Sequence, residues 1–232
     1  MQIVDAHWEE RNFGVTTQEL IIEDSDDADS IAAGIDQLTA RYQVLKLPSA
    51  LIGYSRFVED RGFSFIEAII HIDTDKDEWG KSLPEYKILS ESEIEYMLEF
   101  IATGIIQTDR FYLDPFFPKE KVKERYKNIV LDELGRGAVP LGILVDNEII
   151  GFNILRKTGD LAYINTLDGV YPPYKGKKLS GLLLGGCIAY IEDNGGGRMY
   201  SGISSNNIAS LRTHLKSGYR PNGVTYIYIK HI

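Results

Sequence analysis

Apolar residues fall in short blocks along the chain, and their spacing changes from element to element. Leu20, Ile21 and Ile22 between two glutamates predict a short strand over 19–23. Ile31, Ile35 and Leu38 recur at helical spacing, which predicts a helix over 27–40. Asp24, Asp26, Asp27 and Asp29 cluster at its start, where carboxylates suit the positive end of a helix dipole. Residues 42–47 read as a strand stopped by Pro48, 49–61 as a helix ended by Gly62, and 63–72 as a strong strand. The charged, aperiodic stretch 73–84 reads as a linker. A short strand at 86–89 then precedes a capping box, Ser90 with Glu93, that opens a helix to about 106. A loop over 107–118 carries two aromatic pairs, and 119–134 is a second helix ending near Gly135 or Gly137.

Beyond this point the periods shorten. Residues 139–145 and 148–156 are apolar runs joined by Asp146-Asn147, a hairpin signature. A strand is expected at 161–170, a helix at 176–193 closed by Gly195, Gly196 and Gly197, a strand at 198–203, and a helix at 207–217 ending at Gly218. Residues 219–230 can supply two strands around Pro221-Asn222-Gly223.

The chain has 232 residues, 44% hydrophobic and 25% charged, which is ordinary for a folded chain and excludes a disordered one. No apolar run is long enough to span a bilayer, so no membrane partner is expected. The start, MQIVDAHWEERNF, has no basic segment followed by an apolar one, so no signal peptide is expected and the cytoplasm is the default. One cysteine forms no internal disulfide, and four scattered histidines suggest no metal. The net charge of −9 argues against general nucleic-acid binding. Residues 1–85 hold 18 acidic and 7 basic side chains, whereas 86–232 hold 16 and 18. An anionic ligand therefore fits the second part better, and the imbalance suggests two units, 1–80 and 86–232.

Candidate chemistry concentrates at Val170-Tyr-Pro-Pro-Tyr-Lys-Gly-Lys-Lys-Leu-Ser-Gly181, where a strand ends, a basic glycine turn follows and a helix begins. Free N–H groups at a helix start, with added lysines, suit a phosphate or pyrophosphate. A Walker A loop needs G-x-x-x-x-G-K-[ST], and here Tyr171 and Lys178 break that pattern. Further on, Asn207, Ser210, Leu211, His214 and Gly218 share one helical face.

With these residues in place, 86–232 resembles the GNAT superfamily of acetyl-CoA-dependent N-acetyltransferases. That family's Q/R-x-x-G-x-G/A motif falls on Lys175 to Ser180, with Lys178 at the middle glycine, and its Asn, Tyr and Gly-Phe pattern falls on Asn207, His214 and Gly218-Tyr219. A shifted turn with the Lys178 side chain outward is the expectation. Thr108-Asp-Arg-Phe111, Pro115-Phe-Phe-Pro118, Val44-Leu-Lys-Leu-Pro48 and Arg61-Gly-Phe-Ser-Phe-Ile-Glu67 are similar in order to TDP-fucosamine acetyltransferases. Those enzymes acetylate a nucleotide-linked amino-sugar and carry a reduced GNAT-like domain ahead of the catalytic one.

The resemblance implies an α/β GNAT fold: a mixed, mostly antiparallel sheet flanked by helices, with splayed central strands and a smaller N-terminal GNAT-like α/β domain. It implies acetyl-CoA contacts from Asp168, Gly169, Val170, Lys175, Gly176, Lys177, Lys178, Leu179, Ser180, Gly181, Asn207 and Ser210. His214 stands where the family has its tyrosine acid, and Asp168 is a candidate base; each could instead be an ordinary helix or strand-end residue. Arg110, Tyr112, Phe116 and Phe117 either line an acceptor pocket or pack. Cys187, mid-helix among leucines and isoleucines, reads as core. The partner is then a small-molecule amine, a nucleotide-sugar first among them, with no metal and with a homodimer left open. Another small amine, a protein amino group, or a non-catalytic acyl-CoA sensor are the alternatives.

Overall fold

The computed structural model describes residues 1–80 and 83–232. The elements, in chain order, are β1 (Gln2–Asp5), α1 (His7–Phe13), β2 (Thr17–Ile21), α2 (Ala28–Asp36), β3 (Tyr42–Pro48), a 3-10 segment at Ser49–Tyr54 leading into α3 (Ser55–Glu59), and β4 (Ser64–Asp75). There follow β5 (Tyr86–Ile88), α4 (Glu91–Ala102), α5 (Arg110–Leu113), α6 (Lys119–Gly135), β6 (Val139–Val145), β7 (Glu148–Lys157), β8 (Ala162–Val170), α7 (Ser180–Asp193), β9 (Arg198–Ser204), α8 (Ile208–Lys216) and β10 (Arg220–His231).

Local chemistry explains most of these boundaries. Asp27 caps α2 by accepting the Ser30 N–H, and Ser90 with Glu93 forms the expected capping box on α4. Asp146 and Asn147 both take positive φ (52° and 63°), the geometry of a two-residue hairpin turn between β6 and β7. The sequence pattern misses β1, α1 and the short α5. The stretch read as a linker is partly ordered: β4 runs on to Asp75, because Asp73, Thr74 and Asp75 pair with Tyr200, Met199 and Arg198 of β9. Residues 81–82 of that stretch lie outside the described residues.

All ten strands join one sheet in the order β1-β2-β3-β10-β4-β9-β8-β7-β6-β5, antiparallel except for β2–β3 and β8–β9. Strands from 1–80 and 86–232 are therefore interleaved: β10 lies between β3 and β4, and β4 lies between β10 and β9. This corrects the expected strand pair at 219–230. Pro221-Asn222-Gly223 makes a bulge, with Pro221 opposite Ile72 and Gly223 opposite His71, and one strand continues to His231.

Helices cover both faces. On one, Leu183, Leu184, Cys187 and Ile191 of α7 pack on Ile143, Leu155, Tyr163 and Met199. On the other, Met97, Phe100 and Ile101 of α4 and Val130 of α6 pack on Phe152, Ile154 and Leu167. Along β3, Tyr42 and Val44 face α1, α5 and α6, while Leu45 and Leu47 face α2 and α3, the alternation a strand buried on both sides requires. Buried ion pairs also connect chain segments: Glu9 of α1 with Arg125 of α6, and Glu19 of β2 with Arg110 of α5 (2.8 Å).

Candidate active site

Strands β8 and β9 pair only over Ala162–Ile164 and Arg198–Tyr200. The Ser201 hydroxyl donates to the Asn165 carbonyl oxygen (3.0 Å), and beyond that link the strands separate. A bulge contributes to the change: Leu155 pairs with Asn165 but Ile154 pairs with Leu167, leaving Thr166 unopposed. Tyr163 consequently packs under α7, whereas Leu167 packs under α4 and Asp168 turns back toward His214. Tyr171 N–H donates to the Ile150 carbonyl oxygen (2.9 Å). By antiparallel alternation, the main-chain groups of Val170 and Asp168 point away from β7 into the gap.

Three cavities meet at this gap, and Asp168 lines all of them. One, of about 260 Å³, is bounded by Asp168, Gly169, Val170, the turn over 174–180, Phe100 and Asn207. Gly176 (φ 77°) and Lys178 (φ 61°) are both left-handed, so Lys178 itself adopts the backbone that glycine would supply, with its side chain exposed. No side chain caps the start of α7, which leaves that dipole end available to an anion. A side chain at Gly169 is excluded, since a Cβ there would lie 2.7 Å from the Phe152 ring.

Of the expected cofactor residues, Asp168, Gly169, Val170, Lys175, Gly176, Lys178, Leu179, Ser180 and Asn207 line this cradle. Three do not. The Lys177 ammonium sits over the Tyr174 ring, Gly181 faces the Ser217 hydroxyl, and Ser210 lines the neighbouring cavities instead. Asn207 caps α8 by accepting the Ser210 N–H (3.1 Å).

The second cavity, about 270 Å³, reaches through the gap from Arg125 and Tyr126 on the α6 face to Ser210 and His214 on the α8 face. Its wall mixes the polar Thr108, Asp109, Asn165, Thr166, Ser201 and Ser204 with the apolar Ile69, Ile106, Leu167 and Ile203. Of the expected acceptor residues, only Arg110 lines it. Phe117 is buried against Phe13, Phe111 and Tyr42, Phe116 lies tilted against the His231 ring, and the Tyr112 ring carries the Lys119 ammonium. Phe117 locks the loop to β3, because a buried apolar cluster gains more there than an exposed pocket edge would, while Phe116 stays half-exposed.

His214 is buried. Its Nδ1–H donates to the Ser210 carbonyl oxygen (2.9 Å), the ordinary helical i−4 partner, which leaves Nε2 without a partner. The ring stands edge-on to Tyr219, whose buried hydroxyl is also unpartnered and whose pKa is pushed up by burial. Asp168 accepts from the Asn165 side-chain amide (3.0 Å); enclosure raises its pKa, and His214 opposes that. Burial pushes the Cys187 thiol up, consistent with a packing role.

Glu67 escapes a reading of the sequence. It comes from β4, within the segment assigned to a separate unit, and lies in this cavity wall. Another bulge precedes it: Tyr228 pairs with Phe65 and Ile227 with Glu67, leaving Ile66 unopposed. Ile66 and Ile69 share the α5/α6 face, and Glu67 lies on it with them rather than on the α7 face.

The sequence profile of the acetyltransferase (GNAT) family matches residues 104–219. No curated protein sequence matches the chain. Among solved structures, a GCN5-related N-acetyltransferase from Sphaerobacter thermophilus is 12% identical with a TM-score of 0.59, covering 82% of this chain and 59% of its own. One from Kribbella flavida is 12% identical, TM-score 0.58, covering 93% and 81%. A GCN5-related glucosamine N-acetyltransferase region of a fungal multi-domain GH3 β-N-acetylglucosaminidase is 11% identical, TM-score 0.65, covering 98% of this chain and 30% of its own. The chain thus spans about three fifths of the Sphaerobacter protein and under a third of the fungal one. Among the described residues, no helix is long and apolar enough to cross a membrane.

Proposed function

The chain belongs to the acetyltransferase (GNAT) family, and on that footing we propose that it is a cytoplasmic acetyl-CoA-dependent N-acetyltransferase acting on a small polar amine, with a nucleotide-linked amino-sugar as preferred acceptor. One observation carries this reading: Asp168 stands where the lysine-rich cradle and the second cavity meet in the gap between β8 and β9. A donor and an acceptor entering from opposite ends would come together there.

Acetyl-CoA supplies the activated acetyl group as a thioester. Lys175, Lys178 and the uncapped start of α7 complement its pyrophosphate by charge and dipole. The free main-chain groups of Val170 and Asp168 suit the pantetheine amides, and the Val170 N–H suits the thioester carbonyl, whose oxygen gains charge as the amine attacks. Holding both reactants at one point provides most of the acceleration. His214, with Asp168 beside it, is assigned to the leaving thiolate, because Nε2 is free while Nδ1 is fixed by Ser210.

The hydroxyls and amides in the wall support a sugar acceptor, since they match sugar hydroxyls better than an alkyl amine. The nucleotide-linked form rests on the loop resemblance around Thr108 to Pro118, and the fungal region's name gives a glucosamine acceptor for that relative.

The test is thiol release from acetyl-CoA with free amino-sugars, nucleotide-linked amino-sugars, polyamines and peptide amino termini. The nucleotide-linked amino-sugars should give the highest kcat/KM. Acetyl-CoA at 100 times its Kd should add about 2.7 kcal/mol to stability. A melting shift with no turnover on any amine would instead favour an acyl-CoA sensor, and no shift at all would remove the cradle from the argument.

A further inference from the structure

Resting on the transferase reading, we propose that Glu67 is the catalytic residue that anchors the acceptor ammonium and takes its proton, so that a strand from the acidic first part of the chain completes the active site.

The geometry is specific. Glu67 is only 1% exposed, yet it lines the acceptor cavity. Its Oε1 accepts the main-chain N–H of Arg110 (3.0 Å). The Ser204 hydroxyl beside it gives its proton to the Thr108 carbonyl oxygen (2.8 Å), and Oε2 has no hydrogen-bond partner among the described residues. A buried carboxylate oxygen with nothing donating to it costs stability, and such a group calls for a water, an ion, a ligand or a catalytic role to account for it. A primary ammonium is the complement: it donates up to three hydrogen bonds and carries the opposite charge.

Nearby cations do not already fill this role. The Arg110 guanidinium is paired with Glu19 (2.8 Å), which Lys46 also holds, and Arg125 is bound to Glu9. Asp109 accepts from the Tyr112 N–H (3.0 Å) at the start of α5. Glu67 is therefore the cavity carboxylate left with a free oxygen on the α5/α6 side. Burial raises its pKa against the opposing charge and main-chain N–H of Arg110, which moves the group toward the range where a base both ionises and accepts protons usefully. Glu67 shares this face with Ile69, two residues on in an unbroken ladder, and the bulge at Ile66 leaves Phe65 on the opposite face.

The step balances as follows. The acceptor enters as R–NH3+ and transfers one proton to Glu67 Oε2, leaving R–NH2 and a neutral carboxyl. The nitrogen lone pair forms the C–N bond as the thioester C–S bond breaks. The leaving sulfur takes the electron pair and a proton from His214 Nε2, His214 regains a proton from the amide nitrogen, and the products are the amide and the free thiol. Glu67 then returns its proton to solvent through the open cavity.

The experiment compares the parent protein with Glu67→Gln and Glu67→Asp, using the amine panel in two readouts: turnover across pH 5–10 and the melting shift produced by each amine without acetyl-CoA. Glutamine keeps the oxygen that accepts from Arg110, so the fold should survive, and an unchanged acetyl-CoA melting shift verifies this. Expected results are a fall in kcat of about 100-fold or more, loss of the acidic limb of the pH profile, and loss of the amine-dependent shift. Asp109, Arg110, Arg125, Tyr126, Asp168 and His214 also face this cavity. Because those six remain in the variant, a retained acidic limb assigns the titration to one of them and overturns the proposal. So does parental turnover in Glu67→Gln, or a parent protein that no amine stabilises. A parent that amines stabilise through Glu67 but that turns over none supports the ammonium site and counts against the transferase reading alone.

Discussion

Glu9→Gln should destabilise the protein more than any surface change and weaken the acceptor side without touching the donor side. Glu9 is fully buried and Arg125 is 8% exposed; both Glu9 oxygens accept from the guanidinium, one of them from Nε at 2.6 Å. Neutralising Glu9 leaves a buried cation with Asp109, at 3.7 Å, as its remaining ion-pair partner among the described residues. Breaking one side of such a pair costs about 3–5 kcal/mol, and Asp109 places the expectation near the lower end. For a chain of this length each kcal/mol moves Tm by about 2–4 °C, so the loss should be about 6–12 °C. Arg125 also lines the acceptor cavity, so acceptor KM should rise while the acetyl-CoA melting shift persists. Calorimetry of the parent, Glu9→Gln and the paired Glu9→Leu/Arg125→Met variant checks this. The double variant should recover much of the stability, since replacing both charges removes the desolvation cost. A single variant melting within about 2 °C of the parent, or a double variant no better than the single, would refute the reasoning.

Three further outcomes are expected. His214→Ala should lower turnover by about 100-fold while acetyl-CoA affinity is kept; parental turnover would make His214 a packing residue only. Residues 86–232 expressed alone should fail to fold, because β4 would be missing from between β9 and β10; a cooperative melting transition of that fragment would contradict this. Glu93 is held at about 2, first by the Lys87 ammonium and then by the Ser90 N–H, below its usual 4.5. A depressed carboxylate contributes stability above its unfolded pKa and loses it as pH falls through the folded one. Glu93→Gln should thus cost about 1 kcal/mol at pH 7, and the gap should close between about pH 4.5 and 2 in acid-melting curves.

Chemistry that depends on neighbours in the chain was legible without coordinates. The capping box at Ser90 and Glu93, the Asp146-Asn147 turn and the basic turn before α7 are set by backbone conformations and dipoles a few residues long. The turn from Lys175 to Ser180 is legible for that reason, although Lys177 does not line the cradle, whereas Asp168, Gly169 and Val170 enter only through the family resemblance. What depended on tertiary structure involves residues distant in sequence. Pro221-Asn222-Gly223 looks like a turn, but β3 and β4 stand on either side of β10 and their ladders hold the strand through it. Phe117 looks like a pocket wall, but Tyr42, Phe13 and Phe111 give it a core, while Phe116 lies half-exposed against His231. Glu67 closes the stretch 61–67 that carries part of the resemblance, but its neighbours leave its face undecided, since alternation from Phe65 and from Ile69 would each be possible. One unpaired residue, Ile66, settles which alternation holds, and that bulge exists only because Tyr228 and Ile227 set the register opposite. A period of two means that a single-residue slip exchanges core and cavity, and the pairing that decides the slip lies about 160 residues away.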